Sequence, residues 1–368
     1  MPVRSSSQVV LNSRSTSGIS LAQERLRRVA NGKHPTIAEK VRFLRKAEAY
    51  GERRGDVAAI ETHMSWVFLT GDRVFKLKKP VKFPYLDYST LDRREAACRA
   101  EQDLNRRLAP STYLEVRPMR LSSHGLSLED DGAIVDWLVV MRRLDETHLL
   151  DHAIAAESVS LADVDRVTQL LVRFYRTAAR TYLSPALHIR EWQRNVALNH
   201  AYLLNPRFRL PSGQIWRIDR AQRRFLARRG DLLAARILGR RIVNGHGDLR
   251  PEHIWIGNPP QIIDCLEFSA RLRAVDPFDD IAYLSLECER LGAAWVGERI
   301  LRQLTLGLHD DVPQALFHFY RCYRATLRAR LAIAHLLEPH PRTPHKWPAL
   351  ARVYLRIAEA EVSRFERA

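Results

Sequence analysis

The sequence predicts an α+β protein with two lobes: a small β-rich N-terminal lobe that contains one helix, and a larger, mostly helical C-terminal lobe. Three observations predict this architecture. Segments rich in β-branched and aromatic residues lie between residues 57 and 145 and enclose one segment of helical period. After residue 150, apolar residues recur at helical spacing, interrupted by one small β region at 242–268. The length of 368 residues is too great for one small core and suits two lobes.

The first 35 residues differ in composition from the rest. The segment MPVRSSSQVVLNSRSTSGIS is rich in serine, contains arginines, and has no acidic residue before Glu24. Such a composition buries too little apolar surface to order the chain. We predict a disordered or extended tail at 1–35, rather than the organelle transit peptide that it faintly resembles. The N-terminal lobe is then placed at 36–145 and the C-terminal lobe at 146–368.

The N-terminal lobe is predicted to begin with a helix over TIAEKVRFLRKAEAY, capped by Thr36 and ending near Gly51. A β-hairpin follows, in which the arms SWVFL and RVFKLK flank a turn at residues 70–72. Residues 89–108 have apolar residues at helical spacing after a Ser or Thr cap. Further strands are predicted at 113–121 and 125–145, of which IVDWLVVMRRL is the strongest.

The C-terminal lobe is predicted to be helical from Leu150 onward and again from Pro277 onward. Three arginines of its last part, Arg321, Arg324 and Arg328, recur at helical spacing. A charged series of this kind is more typical of a solvated helix face than of a substrate clamp, so we predict a solvated face.

Composition restricts the function classes. The formal charge is +17, yet the arginines are spread along amphipathic segments without the interleaved aromatic residues of a nucleic-acid stacking surface. We therefore do not expect nucleic-acid binding as the main function. No apolar run approaches the roughly 18 residues that span a bilayer, which predicts no membrane segment. The four cysteines have no CxxC spacing, which is typical of buried free thiols in a cytoplasmic protein.

Charged residues cluster in HGDLRPEHIWI, residues 246–256, and in the IIDCLEF that follows. Asp248 lies in a turn between apolar segments, and Asp264 follows the apolar pair at 262–263. We predict that the two aspartates lie at the ends of two short strands of one hairpin and converge. Paired carboxylates suit phosphoryl transfer, since one orients the attacking hydroxyl and the other holds the metal. The alternative is that both are turn aspartates that accept from backbone N–H groups.

Two upstream segments contain complementary groups. Lys76 lies on a predicted strand, and Lys78 shares its face by the two-residue period. The helix that follows offers Glu95 and Glu101 to orient a lysine. A strand lysine, a helix glutamate, a turn aspartate and a metal-binding aspartate, in that order, are the components of a protein-kinase-like site.

The motifs resemble a known superfamily. HGDLRPEHI, IIDCLEF and DPFDDIAYL resemble the Brenner-type motif of the aminoglycoside phosphotransferase and choline kinase superfamily. More closely, ETHMSWVFLTGDRVFKLKKPV, LNRRLAP and HGDL resemble a bacterial group of aminoglycoside phosphotransferase-like proteins that are often fused to a C-terminal P-loop kinase domain. The resemblance covers roughly residues 36–335. The chain contains no GxxxxGK[ST] motif, so we expect the kinase-like unit alone.

The resemblance implies roles for the nucleotide-binding residues. Lys76 resembles the phosphate-binding lysine, with Lys78 as the alternative. Glu101 resembles the helix glutamate that pairs with that lysine, with Glu95 as the alternative. The segment MRRL, residues 141–144, resembles the hinge that meets adenine, which places Met141 and Arg142 in the nucleotide site.

It also implies roles in the catalytic region. Asp248 resembles the catalytic base and His246 the scaffold histidine that braces the catalytic loop. Asp264 resembles the metal-binding aspartate, and Asp280 the structural aspartate before a C-lobe helix. His253 occupies the position where the family has a metal-binding asparagine.

Two departures from the family pattern bear on activity. The amide oxygen of asparagine suits Mg²⁺, which demands oxygen ligands in octahedral order. The imidazole nitrogen of His253 suits Mg²⁺ poorly and binds Mn²⁺ tolerably. In addition, ETHMSW stands where a glycine-rich phosphate loop would precede Lys76.

We therefore expect an ATP-dependent phosphotransferase that uses Mg²⁺ or Mn²⁺ and moves the γ-phosphoryl group to a hydroxyl of a small-molecule acceptor. Residues 301–368 contain eleven Lys or Arg against six Asp or Glu, which disfavours a polycationic acceptor such as an aminoglycoside. The alternative is a catalytically impaired kinase-like protein that binds a nucleotide or a partner as a regulatory module.

Overall fold

The computed structural model of the chain describes residues 34–51, 57–129, 131–338, 341 and 343–368. The tail predicted at 1–35 lies outside these residues except for its last two positions. The helices are α1 (Ile37–Leu44), α2 (Leu91–Arg106), α3 (Leu150–Ala155), α4 (Leu161–Thr177), α5 (Pro185–Leu203), α6 (Ser212–Arg228), α7 (Gly230–Leu238), α8 (Ala270–Arg273), α9 (Pro277–Arg290), α10 (Ala294–Leu308), α11 (Gln314–Ala334) and α12 (Lys346–Arg367).

The strands are β1 (Ala58–Glu61), β2 (Ser65–Leu69), β3 (Arg73–Lys78), β4 (Lys82–Phe83), β5 (Leu86–Asp87), β6 (Tyr113–Ser122), β7 (Gly125–Ser127), β8 (Ala133–Arg142), β9 (Val243–Asn244), β10 (Ile254–Trp255), β11 (Gln261–Ile262) and β12 (Ala274–Val275). Six of them form an antiparallel sheet in the order β1-β2-β3-β8-β6-β7. The other six form three two-stranded ribbons.

The two faces of the large sheet are covered by different helices. In β3 the two-residue period places Phe75 and Leu77 in a cluster with Val41 of α1. Lys76 and Lys78 lie on the opposite face, toward α2. The predicted hairpin is confirmed, because β2 and β3 pair from Ser65↔Lys78 to Leu69↔Val74 across the turn at 70–72.

The N-terminal helix is shorter than predicted. Thr36 caps α1 through a capping box with Glu39, as the sequence indicates. The helix ends at Leu44, and a separate 3-10 turn covers Ala47–Tyr50. The break occurs because Lys46 has an extended backbone, which interrupts the helical hydrogen bonds between the two segments. The predicted helix at 89–108 is confirmed as α2, capped by the Thr90 side chain.

The C-terminal lobe has one large core to which most of its helices contribute. Helix α9 is buried along almost its whole length from Pro277 to Cys288, and it packs against α11. Helix α11 also packs along α12. All four cysteines are buried free thiols. None of the helices described has the length and apolarity needed to cross a bilayer.

The prediction of a solvated arginine face on α11 is wrong. Arg324 binds the Asp279 carboxylate in a bidentate pair at 2.8 and 2.7 Å. Arg321 donates to Glu361 at 2.9 Å, and Arg328 donates to a carboxylate of α9 at 2.7 Å. The three arginines do lie on one helix, but α9 and α12 cover this face and supply the carboxylates that neutralise it.

Candidate active site

A cleft of about 1120 Å³ lies between the six-stranded sheet and the C-terminal lobe. Its lining includes residues from both lobes that the sequence singled out: Lys76, Met141, Arg142, Asp248, His253 and Asp264. Of the other predicted site residues, His246 and Lys78 are fully buried behind this lining. A cleft of this size suits a ligand as large as a nucleotide together with a small acceptor.

The loop after β9 is held in place by one buried aspartate. Asp280 accepts from the N–H groups of His246 at 2.9 Å and Gly247 at 3.0 Å, and from the Tyr175 hydroxyl at 3.1 Å. Gly247 has a φ of +85°, which favours glycine. A Cβ at Gly245 would lie 2.8 Å from the Asp280 carboxylate. Burial raises the pKa of Asp280 to about 6. The loop therefore depends on close backbone approach to this carboxylate.

His246 positions the residue two places after it. Its Nε2 lies 2.9 Å from the Ile263 carbonyl, which can only accept, so Nε2 is protonated and Nδ1 carries the lone pair. That lone pair accepts from the N–H of Asp248 at 3.3 Å. Burial lowers the pKa of His246 to about 4, so the ring is neutral at physiological pH. Since it is 0% exposed, His246 is a positioning residue.

Asp248 reaches the cleft as a carboxylate. Its Oδ2 lies 3.0 Å from the Arg250 guanidinium. Burial opposes ionisation, but the Arg250 guanidinium outweighs it and lowers the pKa of Asp248. Arg250 also binds Glu252 and lies 3.0 Å from His253 Nε2. Sequence reasoning assigned no role to Arg250, although it stands two residues from each of these two acids in HGDLRPEH.

Asp264 has an unusual backbone and two cleft partners. It follows β11 with a φ of +61°, a left-handed conformation that costs free energy in most residues and that, among residues other than glycine, Asp and Asn tolerate best. Its carboxylate is 48% exposed, with Oδ1 3.1 Å from Lys76 Nζ and Oδ2 3.6 Å from His253 Nε2. The Lys76 ammonium is the main cause that lowers the pKa of Asp264.

The predicted strand pairing of the two aspartates is wrong. β9 pairs with β12, and β10 pairs with β11. The β10–β11 ribbon is flanked by His253 and Asp264, whereas Asp248 lies in the loop between β9 and β10. The two carboxylates instead approach a common residue, because the His253 ring lies 3.9 Å from one and 3.6 Å from the other.

Glu101 of α2 bridges the two predicted lysines. Its Oε1 lies 2.8 Å from Lys76 Nζ and its Oε2 lies 2.6 Å from Lys78 Nζ. The alternative, Glu95, instead pairs with Arg99 on the exposed side of α2. Burial opposes the charge of Lys76, but the carboxylates of Asp264 and Glu101 raise its pKa, so the ammonium remains charged.

Lys78 is neutralised away from the cleft. It is fully buried, and its Nζ lies 2.6 Å from Glu267 as well as from Glu101. Tyr88 also donates to Glu267 at 2.6 Å. Sequence reasoning missed Glu267, which the second acidic residue of IIDCLEF could have indicated. Of the two lysines, Lys76 is the one that a cleft ligand can reach.

The LNRRLAP segment connects the lobes beneath the cleft. Asn105 donates to the Glu101 carbonyl and accepts from the Cys265 N–H, both at 2.8 Å. Arg107 donates to the Asn244 and Gly245 carbonyls at 2.8 and 3.1 Å. These bonds fix α2 to the segments that carry Asp248 and Asp264.

The predicted hinge, MRRL at 141–144, lies at the end of β8. The N–H groups of Arg142 and Arg143 donate to the carbonyls of Thr112 and Asp72, both at 2.8 Å. The Leu144 N–H has no backbone partner among the residues that the structure describes. The Leu144 amide is therefore available to a planar heterocycle in the cleft, and Met141 also lines the cleft.

The donor atoms beside Asp264 fit a divalent ion. His253 Nδ1 lies 2.8 Å from the Asp248 carbonyl, which can only accept, so Nδ1 is protonated and Nε2 carries the lone pair. That lone pair now accepts from Arg250 and faces the Asp264 carboxylate. One carboxylate and one imidazole nitrogen form a donor set that suits Mn²⁺ better than Mg²⁺.

Solved structures of kinases have a similar fold. A choline/ethanolamine kinase family protein from Mesorhizobium loti matches with a TM-score of 0.51 and 16% identity, covering 85% of this chain and 90% of that one. An ethanolamine kinase from Plasmodium vivax matches with a TM-score of 0.51 and 11% identity, covering 94% and 95%. A thermostable mutant of aminoglycoside phosphotransferase APH(4)-Ia, in ternary complex with AMP-PNP and hygromycin B, matches with a TM-score of 0.51 and 12% identity, covering 90% and 99%.

More similar sequences belong to uncharacterised proteins. Proteins of Mycobacterium bovis and Mycobacterium tuberculosis are 33% identical to this chain over 288 residues, which is 76% of the chain and 55% of each relative. The chain thus spans about half the length of these relatives. No protein-family model matches the chain.

Proposed function

Because the chain has the bilobal protein-kinase-like fold that its sequence predicted, we propose that it is an ATP- and divalent-metal-dependent phosphotransferase acting on a hydroxyl of a small-molecule acceptor. The observation that carries the proposal is the position of Lys76. Its ammonium lies 2.8 Å from Glu101 and 3.1 Å from Asp264, which joins the sheet, α2 and the β11 segment around one cleft. This arrangement suits a phosphate-binding lysine beside a metal-binding aspartate.

Each group has a separate task in this proposal. Asp248, ionised and held by the His246 ring, accepts a hydrogen bond from the acceptor hydroxyl and takes its proton. Lys76 binds the nucleotide phosphates, and Glu101 holds the Lys76 ammonium in the cleft. Asp264 and His253 hold the metal ion, which neutralises charge on the phosphates when bound. The Leu144 amide and the Met141 side chain contact the adenine.

A second candidate function is a nucleotide- or partner-binding regulatory protein with impaired catalysis. Arg250 favours it, because this guanidinium engages both the Asp248 carboxylate and the lone pair of His253 Nε2. Unless Arg250 moves, it competes with the acceptor hydroxyl and with the metal.

Acceptor-dependent turnover separates the two candidates. ADP formation from ATP is measured with Mg²⁺ and with Mn²⁺ against a panel of hydroxylated metabolites, beside nucleotide binding in the same buffers. The phosphotransferase requires at least one acceptor that accelerates ADP formation. Nucleotide binding without such turnover in either metal would favour the regulatory protein.

The metal preference provides a specific prediction. We expect wild type to be more active with Mn²⁺ than with Mg²⁺, because His253 offers nitrogen where Mg²⁺ requires oxygen. His253→Asn should raise the Mg²⁺-dependent rate. Steady-state kinetics of both proteins in both metals measure this, with His148→Asn as a control on an exposed histidine. If His253→Asn is slower than wild type in Mg²⁺, the histidine has another role.

The acceptor site also has a charge preference. Arg330 of α11 lines the cleft, and within the described part of the chain no carboxylate lies within 4.0 Å of its guanidinium. Burial lowers the pKa of Arg330, and its surroundings include Tyr85, Tyr202 and Tyr323. A partly desolvated cation without a counter-charge favours an anionic group on the acceptor.

We therefore predict that kanamycin, a polycation, is not phosphorylated at micromolar concentration, and that the panel's active acceptors carry a carboxylate or phosphate. Arg330→Gln should raise the acceptor KM about tenfold or more, since a hydrogen bond to a charged group contributes about 1.5–3 kcal/mol. Arg352→Gln on the exposed face of α12 is the control. Efficient kanamycin phosphorylation, or equal KM values for the two variants, would contradict the charge preference.

A further inference from the structure

Three side chains with metal-binding atoms meet outside the catalytic cluster, where the two lobes approach each other. His63 lies in the turn between β1 and β2, and His335 and Glu338 follow α11. His63 Nε2 lies 3.4 Å from His335 Nδ1 and 3.2 Å from Glu338 Oε1. His335 Nδ1 also binds the Glu338 carboxylate in a short hydrogen bond. Residues 272 positions apart in the chain thus form one compact group.

The spacing of these atoms resembles a zinc coordination sphere. Ligand atoms at zinc distances of about 2.0–2.1 Å in a tetrahedron lie about 3.4 Å from one another. Two of the three separations, 3.4 and 3.2 Å, have this length, and all three ligand atoms lie within 4.8 Å of one another. The third separation, between His335 and Glu338, needs to lengthen from a hydrogen bond to a ligand–ligand contact.

The donor types and exposures suit an exchangeable transition metal. Two imidazoles and one carboxylate form a donor set that zinc uses, whereas Mg²⁺ and Ca²⁺ require oxygen ligands. The side chains of His63, His335 and Glu338 are 58%, 33% and 25% exposed, so an ion can reach them from solvent. The His335 ring stacks on Trp347 with centroids 4.0 Å apart, which orients it before any ion binds.

We propose that His63, His335 and Glu338 bind a zinc ion that clamps the β1–β2 turn onto the C-terminal lobe. Without metal, His335 Nδ1 donates a hydrogen bond to the Glu338 carboxylate, and His63 Nε2 faces both of these atoms. In the bound state these nitrogens offer their lone pairs to zinc, each ring proton resides on the other nitrogen, and water completes the tetrahedron.

The clamp acts on the cleft through the neighbours of His63. Thr62 and Met64 line the cleft on either side of it, in the turn that takes the place of a glycine-rich phosphate loop. Zinc at this position restrains the turn against α11, and thereby restricts opening of the cleft. The clamp does not depend on the identity of the acceptor or on catalytic competence.

Zinc binding by the full chain tests the site. Zn²⁺ is titrated in competition with a chromogenic indicator, using wild type, His63→Asn, His335→Asn and Glu338→Gln. We expect each variant to bind the clamp zinc at least about tenfold more weakly, as the loss of a coordinating residue has effects no smaller than those of its hydrogen-bonding neighbours. His124→Asn, in another N-lobe turn, and His253→Asn, in the catalytic cluster, should keep this zinc. Equal affinity in wild type and the three ligand variants would overturn the site.

Hydrogen exchange tests the clamp separately. Zn²⁺ should slow amide exchange over residues 58–69 in wild type and leave it unchanged in His335→Asn, a variant that keeps every residue of the turn itself. Folding of each variant is checked by its thermal transition without zinc. Zinc binding that leaves exchange of the turn unchanged in wild type would overturn the clamp.

Discussion

Asp248→Asn should reduce acceptor-dependent turnover by about 10²-fold or more, the range expected for loss of a general base, while nucleotide affinity stays unchanged. Asn retains the size of the side chain and can still bond Arg250, but it cannot take the proton of the hydroxyl. The wild-type carboxylate is ionised and can accept the proton, because the Arg250 guanidinium outweighs burial and lowers the Asp248 pKa.

Glu252→Gln is the matched control for Asp248→Asn. Both carboxylates contact the Arg250 guanidinium, so each variant removes one negative charge beside the same cation. Only the first removes the proposed base, and only it should lower turnover strongly. Asp264→Asn should instead weaken binding of the metal–nucleotide complex. If Asp248→Asn and Asp264→Asn both keep full activity, the two carboxylates serve as turn residues only.

Arg324→Leu should lower the free energy of unfolding by about 3–5 kcal/mol, the cost of leaving one member of a buried ion pair without its partner. Arg324 is 6% exposed, and its bidentate bonds to Asp279 are 2.8 and 2.7 Å long. The same guanidinium donates to the Gly247 carbonyl at 3.3 Å, next to Asp248. We therefore expect turnover to fall together with stability.

Denaturant unfolding of three variants measures the Arg324 contribution. Arg217→Leu breaks an exposed pair with Glu359, whose side chains are 66% and 38% exposed, and should cost less than about 1 kcal/mol. The double variant Arg324→Leu/Asp279→Leu should recover much of the lost stability, because it leaves no buried charge unpaired. A loss for Arg324→Leu as small as that for Arg217→Leu would mean that the ion pair contributes little.

Local patterns were sufficient for the elements whose energetics are local. The β2–β3 hairpin follows from alternating residues around a Thr-Gly-Asp turn, and α2 follows from its period and the Thr90 cap. The order of strand lysine, helix glutamate and loop aspartates also predicted which residues would meet in a cleft. These interpretations needed only the spacing of residue types along the chain.

The partners of those residues could not be predicted in the same way. Lys76 and Lys78 share one strand face, and nothing in their spacing indicates that Asp264 meets Lys76 in the cleft while a different carboxylate neutralises Lys78 behind it. That carboxylate, Glu267, arrives from a segment 189 residues away. Likewise, the spacing of Arg324 on α11 defines a helix face but not what covers it, and its partner Asp279 is supplied by α9.

The sequence alone therefore determined the two-lobed fold and the residue types of the candidate site, because secondary structure and motif spacing depend on neighbours along the chain. Only the tertiary structure decided that His253 lies between Asp248 and Asp264, that Arg250 engages His253 and Asp248, and that His63 meets His335. The pairing of β9 with β12 and of β10 with β11 sets the first of these. Such contacts form because segments distant in sequence bury a common core and must neutralise the charges enclosed with it.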